Sequence, residues 1–194
     1  MTESIGSPSP RRAALQRAWA FFLWVAFPIH AWAIYFYLIN ADRYAGRSNW
    51  EAVGLGGYIL LIALIESLLV TGFFLLLGLL LPRRWPPKQR QAARIGVFGV
   101  TALWLVLGQV TLLRFRQRPG VTAAFFAPIN QPSVLPLLLF LLVLVVSIAL
   151  PIWAAGKPGL QRVLNGLVER VSLLSWLYLA LDVAGLVVVI IRNL

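Results

Sequence analysis

Cysteine is absent from all 194 residues. Disulfides, thiolate metal sites, iron–sulfur ligation and a cysteine nucleophile are therefore excluded, while the compartment stays open. Histidine occurs once, so one copy cannot hold haem between two histidines. The H-E-x-x-H helix of zinc proteases is excluded as well, and His30 is followed by Ala-Trp-Ala. Aspartate and glutamate together number six, and charged residues are 12% of the chain, against about 25% in an ordinary soluble domain. A serine nucleophile on a G-x-S-x-G turn is missing too. With so few groups from which a catalytic site is built, no enzymatic role, metal site or cofactor is expected.

Apolar residues are abundant instead. They make up 60% of the chain and raise its mean hydropathy to +0.84. They come in blocks long enough to cross a bilayer, about 20 residues each. Five runs qualify: Trp19–Ile39, Leu55–Leu81, Ile95–Leu113, Val134–Trp153 and Val171–Ile191. The expected fold is an all-α integral membrane protein. A cytoplasmic basic tail, residues 1–18, precedes one domain of five transmembrane helices, residues 19–194. The second run has 27 residues, roughly 40 Å at the helical rise, so it should tilt or project beyond the bilayer.

Proline marks several boundaries. Pro82, Pro86 and Pro87 are expected to stop the second helix, because proline lacks the amide hydrogen and clashes with the preceding turn. Pro132 and Pro136 bracket the start of the fourth, and Pro151 and Pro158 its end. Pro28 lies within the first run, two residues before His30, where it frees the Trp24 carbonyl and favours a kink. Ala31-Trp32-Ala33 has the small-x-small form of a signal-peptide cleavage site. Apolar sequence continues through Ile39, however, so a retained span is expected.

The net charge of +11 comes from basic residues clustered between the apolar runs, as in loops that face the cytoplasm and anionic headgroups. No zinc-finger or RNA-binding signature accompanies them, so the bilayer is the expected partner and nucleic acid is not. The N-terminal tail, the 82–94 loop and the 154–170 connection hold eleven Lys and Arg; the alternate segments hold six. That bias places the N-terminus in the cytoplasm and the C-terminus outside the cell membrane. Between Leu160 and Val171, apolar residues recur at helical spacing opposite Gln161, Arg162, Asn165, Glu169 and Arg170. This reads as a short interfacial amphipathic helix before the last span. Phe125-Phe126 in the 114–133 loop is expected to dip into the outer interface.

Three of the seven Asp, Glu and His residues fall near the middle of apolar runs: His30, Glu66 and Asp182. Ionisable groups within the bilayer usually face a bundle interior or a pathway, and they meet partners. Ala63, Glu66, Ser67, Val70 and Thr71 are read as one face of the second span, with Ala63, Ser67 and Thr71 as a ridge that lets backbones approach. Ser172, Ser175, Tyr178, Asp182 and Gly185 form a stripe on the fifth. The third offers Thr101, Gly108 and Gln109. The fourth has only Ser147, so it is expected to face lipid most, leaving spans one, two, three and five around the polar groups.

Ala26, four residues before His30 in a Trp-rich span, resembles the Ala-x-x-x-His pattern of bacterial light-harvesting polypeptides. That resemblance implies a pigment ligand at His30, but it covers one span of five in a family that crosses the membrane once. The five-span layout is similar to the anchors of bacterial membrane sulfatases, in topology alone. The reading carried forward is a non-enzymatic subunit, anchor or assembly factor whose polar interior ties the helices together, with other membrane subunits or a homo-oligomer as partners. Its rival is a small proton- or cation-coupled transporter that uses Glu66 and Asp182.

Overall fold

Helices account for nearly all of the residues that the computed structural model describes, which are 9–44, 46, 48–116 and 134–194, and no strand occurs among them. The 114–133 loop, with Phe125-Phe126, lies mostly outside the described residues. Helix α1 (Pro10–Ile39) starts where Ser9 accepts a hydrogen bond from the Arg12 amide and proline takes the first helical position, where its missing amide costs nothing. Nine residues of the expected tail are thus helical. Helix α1 ends at Asn40, and a short 3-10 turn, Ala41–Tyr44, follows.

Helix α2 (Asn49–Leu77) opens with a capping box: Ser48 Oγ accepts from the Glu51 amide (3.2 Å), and Glu51 accepts from the Ser48 amide (3.1 Å). It ends at Leu77, short of the expected Leu81. Gly78 caps it, and the Leu79 and Leu80 amides bond three residues back, to Leu76 and Leu77. The stop precedes Pro82 because proline disfavours helical geometry in the residue before it and Gly78 is the weakest helix former nearby. Helix α3 (Pro87–Arg116) begins on a proline; α4 (Val134–Ala154) contains Pro151 rather than ending at it.

Helix α5 (Pro158–Asn193) is continuous over 36 residues, roughly 54 Å. The amphipathic segment is therefore the first part of the last helix, not a separate interfacial one. Nothing between Leu160 and Val171 breaks a helix except Gly166, which helix interiors tolerate. By length and composition, α1, α2, α3 and α5 can each cross a membrane. The described apolar stretch of α4, Leu141–Ala154, is shorter.

The chain divides into two compact units, residues 1–85 with 162–194, and residues 86–161. In the first, α1 and α2 run antiparallel: Tyr37 donates to the Ala52 carbonyl at one end (3.0 Å), and Phe21 meets Phe74 at the other (6.4 Å between rings). Helix α5 runs parallel to α1, with Ser175 against Leu23 and Asp182 against His30. Helices α2 and α5 touch backbone to backbone. A Cβ on Gly57 would lie 3.0 Å from the Gly185 carbonyl oxygen, and one on Gly185 would lie 3.2 Å from that of Gly57. Phe22, Leu23 and Ala26 are buried at the centre, with Leu64 and Leu179 packed on them.

In the second unit, α3 and α4 pair antiparallel. Gly96 sits against Pro151, and the Trp104 indole donates to Ser147 Oγ (2.9 Å). The first, second and fifth expected spans thus pack within one unit and the third and fourth within the other, where Ser147 meets α3.

Candidate functional site

Parallel packing of α1 and α5 creates the site. Leu23 and His30 are seven residues apart, as are Ser175 and Asp182, and seven residues return a helix to nearly the same face after two turns. Val168, Ser175 and Asp182 are the matching buried heptad positions on α5. Each polar side chain on that stripe therefore meets α1 at a fixed register.

His30 and Asp182 are 0% and 2% exposed, with His30 Nε2 3.0 Å from Asp182 Oδ1 and 3.1 Å from Oδ2. His30 Nδ1 lies 2.8 Å from the Ala26 carbonyl oxygen. A carbonyl can only accept, so Nδ1 carries a hydrogen. On the other side, Nε2–H donates to the carboxylate, or a protonated carboxyl donates to bare Nε2. Both arrangements contain the same number of protons and have no net charge. Either arrangement lessens the cost of burying one ion alone.

The surroundings hold it in place. The Tyr178 ring stacks on the imidazole, 5.6 Å between centroids and 10° from parallel, and Phe27 lies 6.0 Å from Tyr178. Two turns away, Ser175 Oγ donates to the Leu23 carbonyl (2.7 Å), with the Val171 carbonyl at 3.1 Å as a second acceptor. Arg170 lies 12 residues before Asp182 and Arg192 lies 10 after it, roughly 18 and 15 Å along the axis. Asp182 is thus at the middle of a stretch matching a hydrocarbon core of about 30 Å.

Helix α2 contributes a lane of small buried residues: Gly54, Gly57, Ala63, Ser67 and Thr71. Ser67 Oγ donates to the Ala63 carbonyl (2.7 Å). Thr71 Oγ1 and Trp24 Nε1 are buried without a hydrogen-bond partner among the described residues.

The structure brings His30, Asp182, Ser175 and Tyr178 together and buries Ser67 and Thr71 on α2. Glu66 and Gln109 are exposed, and Gln109 belongs to the second unit. The expected common face for Glu66, Ser67 and Thr71 is corrected. With Ala63 at zero and about 100° per residue, Ser67 and Thr71 fall roughly 40° and 80° round, whereas Glu66 falls roughly 60° the other way. The backbone carbonyls of Leu23 and Ala26 escaped the sequence reading, because main-chain acceptors leave no residue signal. The Gly57–Gly185 approach escaped it too, although both glycines lie in apolar runs.

Both ring nitrogens of His30 are engaged within the bundle, so neither is available to a pigment. No group of three or more His, Asp or Glu able to hold a metal occurs among the described residues. No protein-family model, curated protein or solved structure matches the chain. The apolar helices fit a membrane protein, and among the described residues the fold is all-helical.

Proposed function

We propose that this is a non-enzymatic polytopic component of a membrane complex, a subunit, anchor or assembly factor, in which His30–Asp182 is a structural lock between the first and last spans. The observation that carries the reading is the engagement of both His30 nitrogens at 0% exposure. A relay group needs a partner that can receive or pass on a proton; this imidazole spends Nδ1 on a backbone carbonyl of its own helix and Nε2 on the carboxylate that ties it to the last one. Glu66 also faces away from the small-residue lane, so a relay built jointly on Glu66 and Asp182 lacks support from the packing.

In this reading all five apolar helices cross the bilayer, with the N-terminus cytoplasmic. The charges of the first unit support that orientation. Arg11, Arg12, Arg17, Arg83, Arg84, Arg162 and Arg170 lie toward one end of its helices, seven against three for the opposite segments, which hold Arg43, Arg47 and Arg192 in sequence. The positive-inside rule assigns the basic end to the cytoplasm.

Purification of the tagged chain from native membranes in mild detergent tests the reading. Larger membrane proteins are expected at stoichiometric yield, and Asp182→Asn, which keeps a hydrogen-bonding side chain, should still recover them. Recovery as a lone homo-oligomer that carries protons or cations in vesicles, and loses that flux in Asp182→Asn, would establish the transporter instead.

A further inference from the structure

Glu66 is a carboxylate at mid-span on the outer side of its helix. Its run is free of other charges from Ala52 to Pro82, between Glu51 and Arg83, and Glu66 is near the middle of that run. Helical geometry places Ile62, Leu69 and Phe73 within about 60° of it. All three are exposed, at 56%, 68% and 57%. The carboxylate therefore stands in an apolar stripe, where intramembrane ionisable residues are rare unless paired. It makes no hydrogen bond or ion pair among the described residues.

We propose that the Glu66 stripe of α2 is a docking surface for a transmembrane helix of another protein, and that this helix carries a lysine or arginine at mid-membrane depth. Charge complementarity selects this occupant. Helix α5 holds no Lys or Arg between Arg170 and Arg192, and α3 holds none between Arg94 and Arg114. Helices α1 and α4 have none within their apolar runs. The one intramembrane base, His30, is committed to Asp182 at two short distances. A second copy would thus bring a second carboxylate and no cation. A foreign basic side chain answers the charge, and Ile62, Leu69 and Phe73 supply the apolar contact around it. The inference rests on the proposed role as a subunit and specifies which face makes the union.

A photo-crosslinking residue placed singly at Ile62, Leu69 or, on α5, exposed Leu173 tests it in native membranes. Probes at 62 and 69 should join one foreign membrane protein, through a peptide with Lys or Arg inside an apolar stretch. Glu66→Gln should cut that yield at least several-fold and Glu66→Asp should restore much of it, while detergent gel filtration shows both variants folded. Exchange of Glu66 for Lys together with the reverse exchange in the partner should also restore it. An adduct of twice the chain's own mass, an adduct indifferent to Glu66→Gln, or lipid adducts alone would overturn the proposal. A partner that co-purifies but crosslinks only from Leu173 would remove this surface and leave the subunit role standing. Absence of any co-purifying protein would remove both.

Discussion

At the scale of the residue, the decisive feature is a mutual hydrogen bond. His30 and Asp182 are both buried, and each satisfies the other. Removing one member alone leaves a polar group stranded, which is worse than removing both. Asp182→Leu should destabilise the bundle by roughly 1–2 kcal/mol, the upper range for hydrogen bonds between membrane helices. The double change His30→Leu with Asp182→Leu should recover a good part of that loss. Reversible unfolding of the four corners of this double-mutant cycle in detergent would measure it; additive losses would show that the two residues act separately. The pair's members were legible in the sequence, since three ionisable residues in long apolar runs are conspicuous. Which of them met was not legible. Their partners are chosen by helix register, and Glu66 differs from Ser67 by a single 100° step.

At the scale of the element, close approach depends on side chains that are missing. Gly57 and Gly185 let α2 and α5 meet at backbone distance, where neither helix can yield as a flexible side chain would. Gly57→Leu should therefore destabilise the protein by about 1–3 kcal/mol, the usual range for overpacking. Gly72→Ala on the same helix faces open space and should leave the midpoint unchanged or raise it slightly, since alanine favours the helix; thermal unfolding of both variants in one detergent compares them. The helices themselves were read correctly from their apolar runs, and the proline-led starts of α3 and α5 agree with proline's preference for the first helical turn. Their limits were less legible. Local signals in Gly78 and Pro82 act together to end α2 early, while the polar face of residues 160–171 resembles an interfacial helix whether or not the chain bends after it. Periodicity reports a helix's faces and is silent on its continuity.

At the scale of the whole molecule, the pairing of the third helix with the fourth was the least legible feature; Gly96, Pro151, Trp104 and Ser147 make it. Such pairings arise from shape, at positions no hydropathy pattern marks. Orientation is testable because the chain has no cysteine of its own. A cysteine at Gly46, an open position, should react with a membrane-impermeant maleimide on intact cells. One at Leu15, 72% exposed, should react only after the membrane is opened. The reverse pattern would invert the assigned topology.

The His30–Asp182 bond also sets a schedule. Its two members are 152 residues apart in the chain, so at about 5–20 residues per second the ribosome needs roughly 8–30 s to supply the second after the first. For that interval the imidazole lacks its carboxylate, and a chain cut short before Asp182 never acquires it. The contact that ties the first helix to the last is thus complete only once the last helix has been made.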